Sequence, residues 1–238
     1  MFHPDGPSLM DLTRQALSST DRGYDLLAPR FDHTPFRTPD DLLDQLLPYL
    51  EGDGTLQRGL DLCTGTGAAL PRLAAVCREE VLGLDRSAGM LAQARQYCRE
   101  GHPRVHVARQ DALDLDADGV FDLVTCFGAH GHILPDDQLP LARRIHRALV
   151  PGGRYICLTA DMPGPTQVAW WLARGFNATM RVRNALIRPP FIMYYLLFTT
   201  ERAIEVLSEA GFDVHLDRDV LSRPYRRLHV LTATRPQS

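Results

Sequence analysis

One short stretch, residues 58–70, limits the fold of this chain more than any other. It opens with an apolar segment that carries Asp61, continues through Thr64-Gly65-Thr66-Gly67, and then turns to small residues. Glycine has no Cβ, so Gly65 and Gly67 let the backbone turn tightly and let a ligand lie against bare peptide. A helix that begins after such a turn directs free N–H groups at that ligand. The pattern indicates a strand, a turn and a helix around a cofactor, and it suits several adenine cofactors.

Acidic residues recur at the ends of the next two predicted strands. Asp85 ends the strand predicted at residues 80–85, and Asp111 ends the one at residues 105–111. A fourth strand is predicted at residues 121–126. In a doubly wound sheet the carboxyl ends of the strands form the ligand crevice, so we expect these carboxylates to lie near one another there.

The order of these motifs resembles that of the class I S-adenosylmethionine-dependent methyltransferases. The first motif of that family usually reads D-L-G-C-G-T-G; here it begins at Asp61 and has Cys63 at the usual first glycine. Four further motifs follow in order, at residues 83–91, 111–112, 121–124 and 149–153. The resemblance implies an α/β fold with a Rossmann-like doubly wound sheet of about seven strands, mostly parallel with an antiparallel last strand, and helices on both faces. It also implies S-adenosyl-L-methionine as the cofactor.

The resemblance further implies which residues contact the cofactor. Asp85 would accept hydrogen bonds from both ribose hydroxyls, and Asp111 would accept the adenine amino proton beside Ala112, which leaves room for the ring. Tyr24 would cover the methionine end, and Met90 would touch adenine; the alternative for both is ordinary packing. The full expected set is Tyr24, Asp61, Cys63, Gly65, Gly67, Asp85, Arg86, Met90, Asp111, Ala112 and Phe127.

Two histidines follow the fourth predicted strand, where a methyl acceptor should enter. His130 or His132 is a candidate general base, and the alternative is a hydrogen-bonded structural histidine. Their spacing of two would suit metal ligands, but no third ligand is signalled nearby, so we expect no metal.

The N-terminal part of the chain is predicted to be helical. Thr38, followed by Pro39 and two acids, is typical of a helix start capped by Thr38. Leucines at helical spacing as far as Leu50 predict that this helix buries one face. We expect one methyltransferase domain, residues 1–238, with an N-terminal helical cap segment at residues 1–50.

A segment without any carboxylate, residues 162–200, holds both tryptophans, three phenylalanines, two tyrosines and four arginines. The preferred interpretation is a helical lid or acceptor insertion over an apolar acceptor. A homodimer face and a peripheral membrane contact remain open, because aromatic residues with arginine suit both. A helical insertion merely packed on the sheet also remains open. The longest uncharged run is too short to span a bilayer.

Composition narrows the class of partner. The 238 residues carry a net charge of −3, which gives no general attraction for nucleic acid. The five cysteines are spread singly, and we expect all of them in core elements, as in a reducing compartment. The first residues lack the pattern of a secretory signal, so cytoplasmic residence is expected.

These patterns predict S-adenosylmethionine-dependent methyl transfer to a small O- or N-acceptor that is apolar or aromatic. One alternative is a catalytically inactive partner subunit that binds the cofactor, and another is a nucleic-acid or protein methyltransferase. A nicotinamide-dependent oxidoreductase would need a third glycine where Leu70 stands. Neither the acceptor nor the oligomeric state can be read from the sequence.

Overall fold

A seven-stranded sheet is the frame of the described part of the chain, which comprises residues 4–52, 55–98 and 104–237 of a computed structural model. The strand order is β3-β2-β1-β4-β5-β7-β6. The strands are β1 Leu56–Leu62, β2 Cys77–Asp85, β3 Val105–Arg109, β4 Phe121–Cys126, β5 Leu149–Ala160, β6 Asp213–Asp217 and β7 Leu228–Thr234.

The sheet is parallel from β3 through β5, and β7 runs antiparallel to both β5 and β6. The strand order reverses between the neighbours β1 and β4, so the chain leaves these two strands towards opposite faces of the sheet and a crevice forms between the two connections. The Rossmann-like doubly wound sheet with an antiparallel end, implied by the motif resemblance, is confirmed.

Nine α-helices surround the sheet within the described residues. They are α1 Leu9–Leu17, α2 Thr20–Leu27, α3 Asp40–Gln45, α4 Leu47–Glu51, α5 Leu70–Val76, α6 Ala88–Ala94, α7 Pro135–Ala148, α8 Val168–Leu186 and α9 Thr200–Glu209. The described part of the expected N-terminal segment, residues 4–50, thus holds α1 to α3 and the start of α4. Residues 162–200 hold α8, a stretch without regular structure after it, and the first residue of α9.

Side chains alternate between two buried clusters on the two faces of the sheet. On β4, Leu123 belongs to the cluster packed by α3, α4 and α5, whereas Val124 belongs to the one packed by α7 and α9. On β5, Ile156 belongs to the cluster packed by α3, α4 and α5, and Tyr155 belongs to the cluster packed by α7 and α9. This period of two is expected for strands covered on both faces, and it leaves the carboxyl edge of the sheet for polar side chains.

Two local predictions were wrong. The helix expected from Thr38 begins at Asp40, because Pro39 has an extended ψ of 147° and takes the cap position without a side-chain hydrogen bond. It also ends at Gln45, and α4 begins anew at Leu47, with Pro48 in its first turn. Proline has no N–H and its ring clashes with the preceding turn, which favours a break in the helix at this position.

The cysteines are less uniformly placed than expected. Cys77, Cys126 and Cys157 are buried on strands, as predicted. Cys63 lies in the turn after β1, and Cys98 ends a short 3₁₀ helix; both are only partly buried.

Candidate active site

A cavity of about 620 Å³ lies at the carboxyl ends of the central strands. Its wall comes from several separate parts of the chain: the N-terminal helices, the turn after β1, the end of β2, the residues after β4, and the residues before α9. Ten of the expected site residues line it: Tyr24, Asp61, Cys63, Gly65, Asp85, Arg86, Met90, Phe127, His130 and His132. Gly67, Asp111 and Ala112 do not line it.

The two glycines of the turn have different surroundings. Gly65 has a φ of +56°, and a Cβ placed there would meet no atom within 4 Å. Gly67 has a φ of +87°, but a Cβ there would lie 2.9 Å from Tyr97 and 3.0 Å from Leu70. Gly65 therefore leaves bare peptide beside the cavity, whereas Gly67 allows the turn to pack closely against neighbouring side chains.

Asp61 holds this turn in place through side-chain hydrogen bonds. The carboxylate is 3% exposed and accepts hydrogen bonds from the hydroxyls of Thr64 at 2.6 Å and Thr125 at 2.7 Å. Burial raises the pKa of Asp61 to about 6, although both hydroxyl bonds favour the charged form. Asp61 thus links β1, the glycine turn and β4 at the edge of the crevice.

Asp85 reaches the turn from the end of β2. One carboxylate oxygen accepts the Gly65 N–H at 2.9 Å, and the other accepts the Ser87 N–H at 2.8 Å. Burial raises the pKa of Asp85, and these backbone bonds oppose the increase. A carboxylate has about four acceptor sites, so both oxygens retain capacity for a ligand's hydroxyls.

Arg86 connects this site to the other expected acid. Its guanidinium pairs with Asp21 at 3.0 Å and with Asp111 at 2.9 Å. Asp111 also caps the short 3₁₀ helix that begins at Ala112 by accepting the Leu113 N–H. Asp111 lines a neighbouring, more open cavity of about 460 Å³, and Asp21 and Arg86 line both cavities. The Asp111 carboxylate is therefore occupied by protein partners beside the main cavity.

Cys63 combines an unusual backbone with a contact to the cavity. Its φ is +54°, in the left-handed region that favours glycine. A hydrogen bond with Cys126 and burial hold the pKa of the Cys63 thiol well above its usual value. The thiol therefore stays neutral, and it is a poor nucleophile.

His132 is held between two partners across the cavity. A carbonyl oxygen only accepts hydrogen bonds, so the contact of 2.5 Å between His132 Nδ1 and the Ile192 oxygen places the proton on Nδ1. His132 Nε2 then accepts the Tyr24 hydroxyl proton at 2.8 Å. Burial lowers the pKa of His132 and raises that of Tyr24, so the imidazole is neutral and the phenol is protonated.

His130 has a different environment. Its Nε2 lies 3.1 Å from the Tyr155 hydroxyl, and its ring stacks on Phe198 with 4.1 Å between the ring centroids. Burial lowers the pKa of His130 to about 4. The His132 ring meets the Tyr24 ring edge to face, with 5.2 Å between the centroids, whereas the His130 ring stacks face to face on Phe198.

Two residues that support the site from outside the cavity have no counterpart among the sequence predictions. Asp25 accepts the Ser87 hydroxyl at 2.6 Å and the Gly89 N–H at 2.8 Å, which fastens α2 to the start of α6. Asn184 on α8 bonds both backbone groups of Phe191. These contacts join positions far apart in the chain or outside any periodic pattern, so no local sequence signal could have indicated them.

The strand order, the glycine turn and the acid at the end of β2 define a Rossmann-like fold with a nucleotide-type crevice. Residues 60–153 match the family model of a methyltransferase domain. Demethylmenaquinone methyltransferase of Geobacillus kaustophilus is 36% identical over 184 residues, or 71% of this chain and 74% of that protein. The chain therefore belongs to the family of class I S-adenosylmethionine-dependent methyltransferases.

Other relatives match over shorter regions. The ubiquinone/menaquinone biosynthesis C-methyltransferase UbiE of Rubrivivax gelatinosus is 38% identical over 125 residues, which cover 51% of this chain and 44% of that protein. The chain thus spans less than half the length of this relative. Haemonchus contortus phosphoethanolamine N-methyltransferase 2, solved with S-adenosyl-L-methionine, has a TM-score of 0.66 at 22% identity over 92% of this chain and 58% of that chain. This similarity shows the shared fold.

The turn and Asp85 fit an adenosyl cofactor. The open space at Gly65 would admit a ligand against the backbone, and Asp85 has acceptor capacity beside it. Among the described residues, no group of three or more metal-ligating side chains is placed to hold a metal ion.

Proposed function

We propose that this protein transfers a methyl group from S-adenosylmethionine to a small acceptor that carries a hydroxyl on an aromatic ring. The observation that most supports this proposal is a single cavity with two kinds of wall. The Gly65 turn and Asp85 form one part, and Tyr24, His132 and several aromatic side chains form the other. One part of that wall suits a polar nucleoside, and another suits an apolar ring. Relatives named for methylation of demethylmenaquinone favour a hydroquinone-like acceptor for this chain as well.

In the proposed complex, Asp85 binds the ribose hydroxyls, the Gly65 peptide lies against the cofactor, and Met90 packs near the base. Bound S-adenosylmethionine supplies a methyl group on a positively charged sulfur. The chain's own residues align the acceptor with that methyl and exclude water, and such positioning can lower a barrier by roughly 7–11 kcal/mol in favourable models.

The neutral His132 gives the site a proton acceptor. An acceptor hydroxyl that donates to the Tyr24 oxygen would lose its proton to Tyr24 as the Tyr24 proton passes to His132 Nε2. The Ile192 carbonyl would hold the resulting imidazolium through Nδ1–H. General-base assistance of this kind typically contributes about 10²–10⁴-fold. His130 would support the wall through Phe198 and Tyr155 rather than accept the proton.

Cofactor binding is tested with Asp85→Asn. This change keeps the side-chain shape, removes the charge and replaces one of the two oxygens that accept backbone N–H groups with an amide donor. We expect the dissociation constant for S-adenosylmethionine to rise about 10–100-fold in calorimetry. Asp122→Asn is the matched control, because Asp122 also accepts two backbone N–H groups, from Gln57 and Arg58, but does not line the cavity. Equal affinity of the Asp85→Asn variant and the wild type would contradict the ribose assignment.

Turnover is tested with a panel of hydroquinones, phenols and amines. We expect S-adenosylhomocysteine to form fastest with hydroquinones, and His132→Gln to lower kcat without weakening cofactor binding. A preference for amines would contradict the proposed acceptor. Binding of the cofactor without turnover on any member of the panel would instead favour the inactive partner subunit.

A further inference from the structure

Helix α8 has its apolar side turned outward. Its outward stripe follows helical spacing, and the five large apolar side chains of the stripe are 60 to 79% exposed. They are Val168, Trp171, Leu172, Val182 and Leu186. They form one group near each end of the helix, with Gly175 and Thr179 between the groups on the same side. Soluble proteins rarely leave so many large apolar side chains in water on one face of a helix, so this stripe indicates an interaction surface.

The opposite side of α8 faces the protein and carries the buried Met180 together with two asparagines. Asn177 bonds the N–H and C=O of Tyr195, both at 2.8 Å. Asn184 bonds Phe191 and the Tyr194 hydroxyl. The helix is therefore anchored by amides on its inner side, and burial of the outer stripe is not needed to hold it in place.

The charge of residues 162–200 indicates which kind of surface the apolar stripe would contact. Residues 162–200 contain four arginines and no carboxylate. Arg174, Arg181 and Arg188 are exposed, and within the described part of the chain no carboxylate pairs with them. Arg183, the fourth, bonds the carbonyls of Ala16 and Ser18. The guanidinium of Arg174 lies 4.4 Å from the centre of the Trp170 ring and keeps its charge. The apolar stripe is thus accompanied by positive charge that no carboxylate in the described residues neutralises, which matches an anionic surface.

We propose that α8 lies along an anionic lipid bilayer, with the apolar stripe at the boundary of headgroups and acyl chains and the exposed arginines beside lipid phosphates. Within the described residues, no helix has the length and apolar character needed to cross a membrane. The 19 residues of α8 give a contact about 28 Å long.

The position of this surface also bears on the acceptor, a point that rests on the proposed function. The chain that leaves α8 turns back through Phe191 and then lines the cavity from Met193 to Thr199. Asn177 and Asn184 tie this lining stretch to α8. An acceptor dissolved in the bilayer would thus approach the cavity beside the docked helix.

Vesicle binding tests the proposal without any substrate. Both tryptophans of the chain, Trp170 and Trp171, are on α8, so their fluorescence reports this helix alone. With vesicles of equal phosphatidylglycerol and phosphatidylcholine we expect a blue shift and co-sedimentation, and with phosphatidylcholine alone much weaker binding. The triple variant Leu172→Gln, Val182→Gln, Leu186→Gln should lower partitioning at least about tenfold.

Two controls separate the contributions. Val220→Gln removes an exposed apolar side chain outside α8, in the segment after β6, and should bind as the wild type does. Arg181→Gln with Arg188→Gln should lower binding to the anionic vesicles by about fivefold for each arginine and reduce its salt dependence. Unfolding curves of each variant check that the fold is retained.

Three results would overturn the proposal. The first is a wild-type protein that ignores anionic vesicles, and the second is a triple variant that binds them as well as the wild type. The third is a wild-type dimer that the triple variant dissociates in the absence of vesicle binding, which would make this face a subunit contact.

Discussion

Cys63 has a backbone conformation that side chains rarely adopt. The first glycine of the family motif is replaced here, yet the chain keeps a φ of +54° at this position. For residues with a Cβ, the left-handed region costs roughly 1–2 kcal/mol. The strain is retained at the cavity wall, between the buried Asp61 and the open peptide of Gly65.

Substitution at Cys63 should therefore follow backbone preference rather than side-chain size. Cys63→Val should lower the free energy of unfolding by about 1–2 kcal/mol, because a β-branched side chain tolerates positive φ poorly. Cys63→Gly should lose no stability, although it deletes a partly buried side chain. Urea unfolding checks this order, and an equal loss for both variants would show that packing of the thiol decides the outcome.

His130 should make stability depend on pH in the acid range. Its pKa falls from 6.5 to about 4 on folding, so between these values the unfolded chain binds a proton that the folded protein does not. The free energy of unfolding must then decrease as pH falls from 6.5 towards 4, by about 1–3 kcal/mol for this group. Asp61 has the opposite effect on the free energy of unfolding. Its pKa rises from 3.8 to about 6 on folding, so between these values the folded protein binds a proton that the unfolded chain does not.

A variant comparison isolates the histidine. The difference in unfolding free energy between the wild type and His130→Gln should shrink as pH falls from 6.5 to 4, since Asp61 is common to both proteins. His215→Gln, at an exposed position on β6, controls for the loss of a histidine as such. A difference that stays constant over this range would refute the linkage.

At the scale of elements, the sequence predicted those helix and strand limits that are set by neighbouring residues in the chain. The strand β4 was predicted with its observed limits, because Phe121–Cys126 is a short apolar run. The split between α3 and α4 was missed because the leucine periodicity hides the break at Pro48. The stretch between α8 and α9 has no period at all, and its path depends on Asn177 and Asn184.

Asn184 should control the shape of the acceptor side of the cavity. Asn184→Ala removes three hydrogen bonds to Phe191 and Tyr194, and we expect KM for the acceptor to rise with little change in cofactor affinity. Stability should fall by about 1–2 kcal/mol. Thr179→Ala is the control on the outer side of the same helix, where the hydroxyl bonds only within α8, to the Gly175 carbonyl. Equal loss of cofactor binding and acceptor binding would show that Asn184 supports the whole fold.

At the scale of the molecule, the cavity exists only when the N-terminal helices are docked. The glycine turn and the acids of the first two strands could be placed from sequence, since adjacent strands bring them together. The Tyr24–His132 contact joins positions 108 residues apart. The ion pair of Asp111 with Arg86, which keeps Asp111 out of the cavity wall, depends on side-chain conformation. Neither follows from motif order.

Gly89 tests how closely this docking controls the site. A Cβ at Gly89 would lie 2.9 Å from Asp25 Cα and 3.0 Å from its carbonyl oxygen, so Gly89→Ala must push α2 away from α6. We expect about tenfold weaker cofactor binding by calorimetry and a loss of about 1–3 kcal/mol of stability.

Gly175→Ala is the matched control for this substitution. A Cβ at Gly175 meets no atom within 4 Å, so alanine should stabilise α8 by about 0.5–1 kcal/mol and leave cofactor affinity unchanged. Normal cofactor binding by Gly89→Ala would show that the fit between α2 and α6 does not set the affinity.

The position of β7 between β5 and β6 has a consequence for how the protein is made. During synthesis, β6 leaves the ribosome before β7, and β7 is the strand with which it pairs. One edge of β5 remains open for the same interval, because β7 covers it. Until β7 has also left the ribosome, the nascent chain therefore exposes unpaired strand edges, and this is the period in which a chaperone would protect it most effectively.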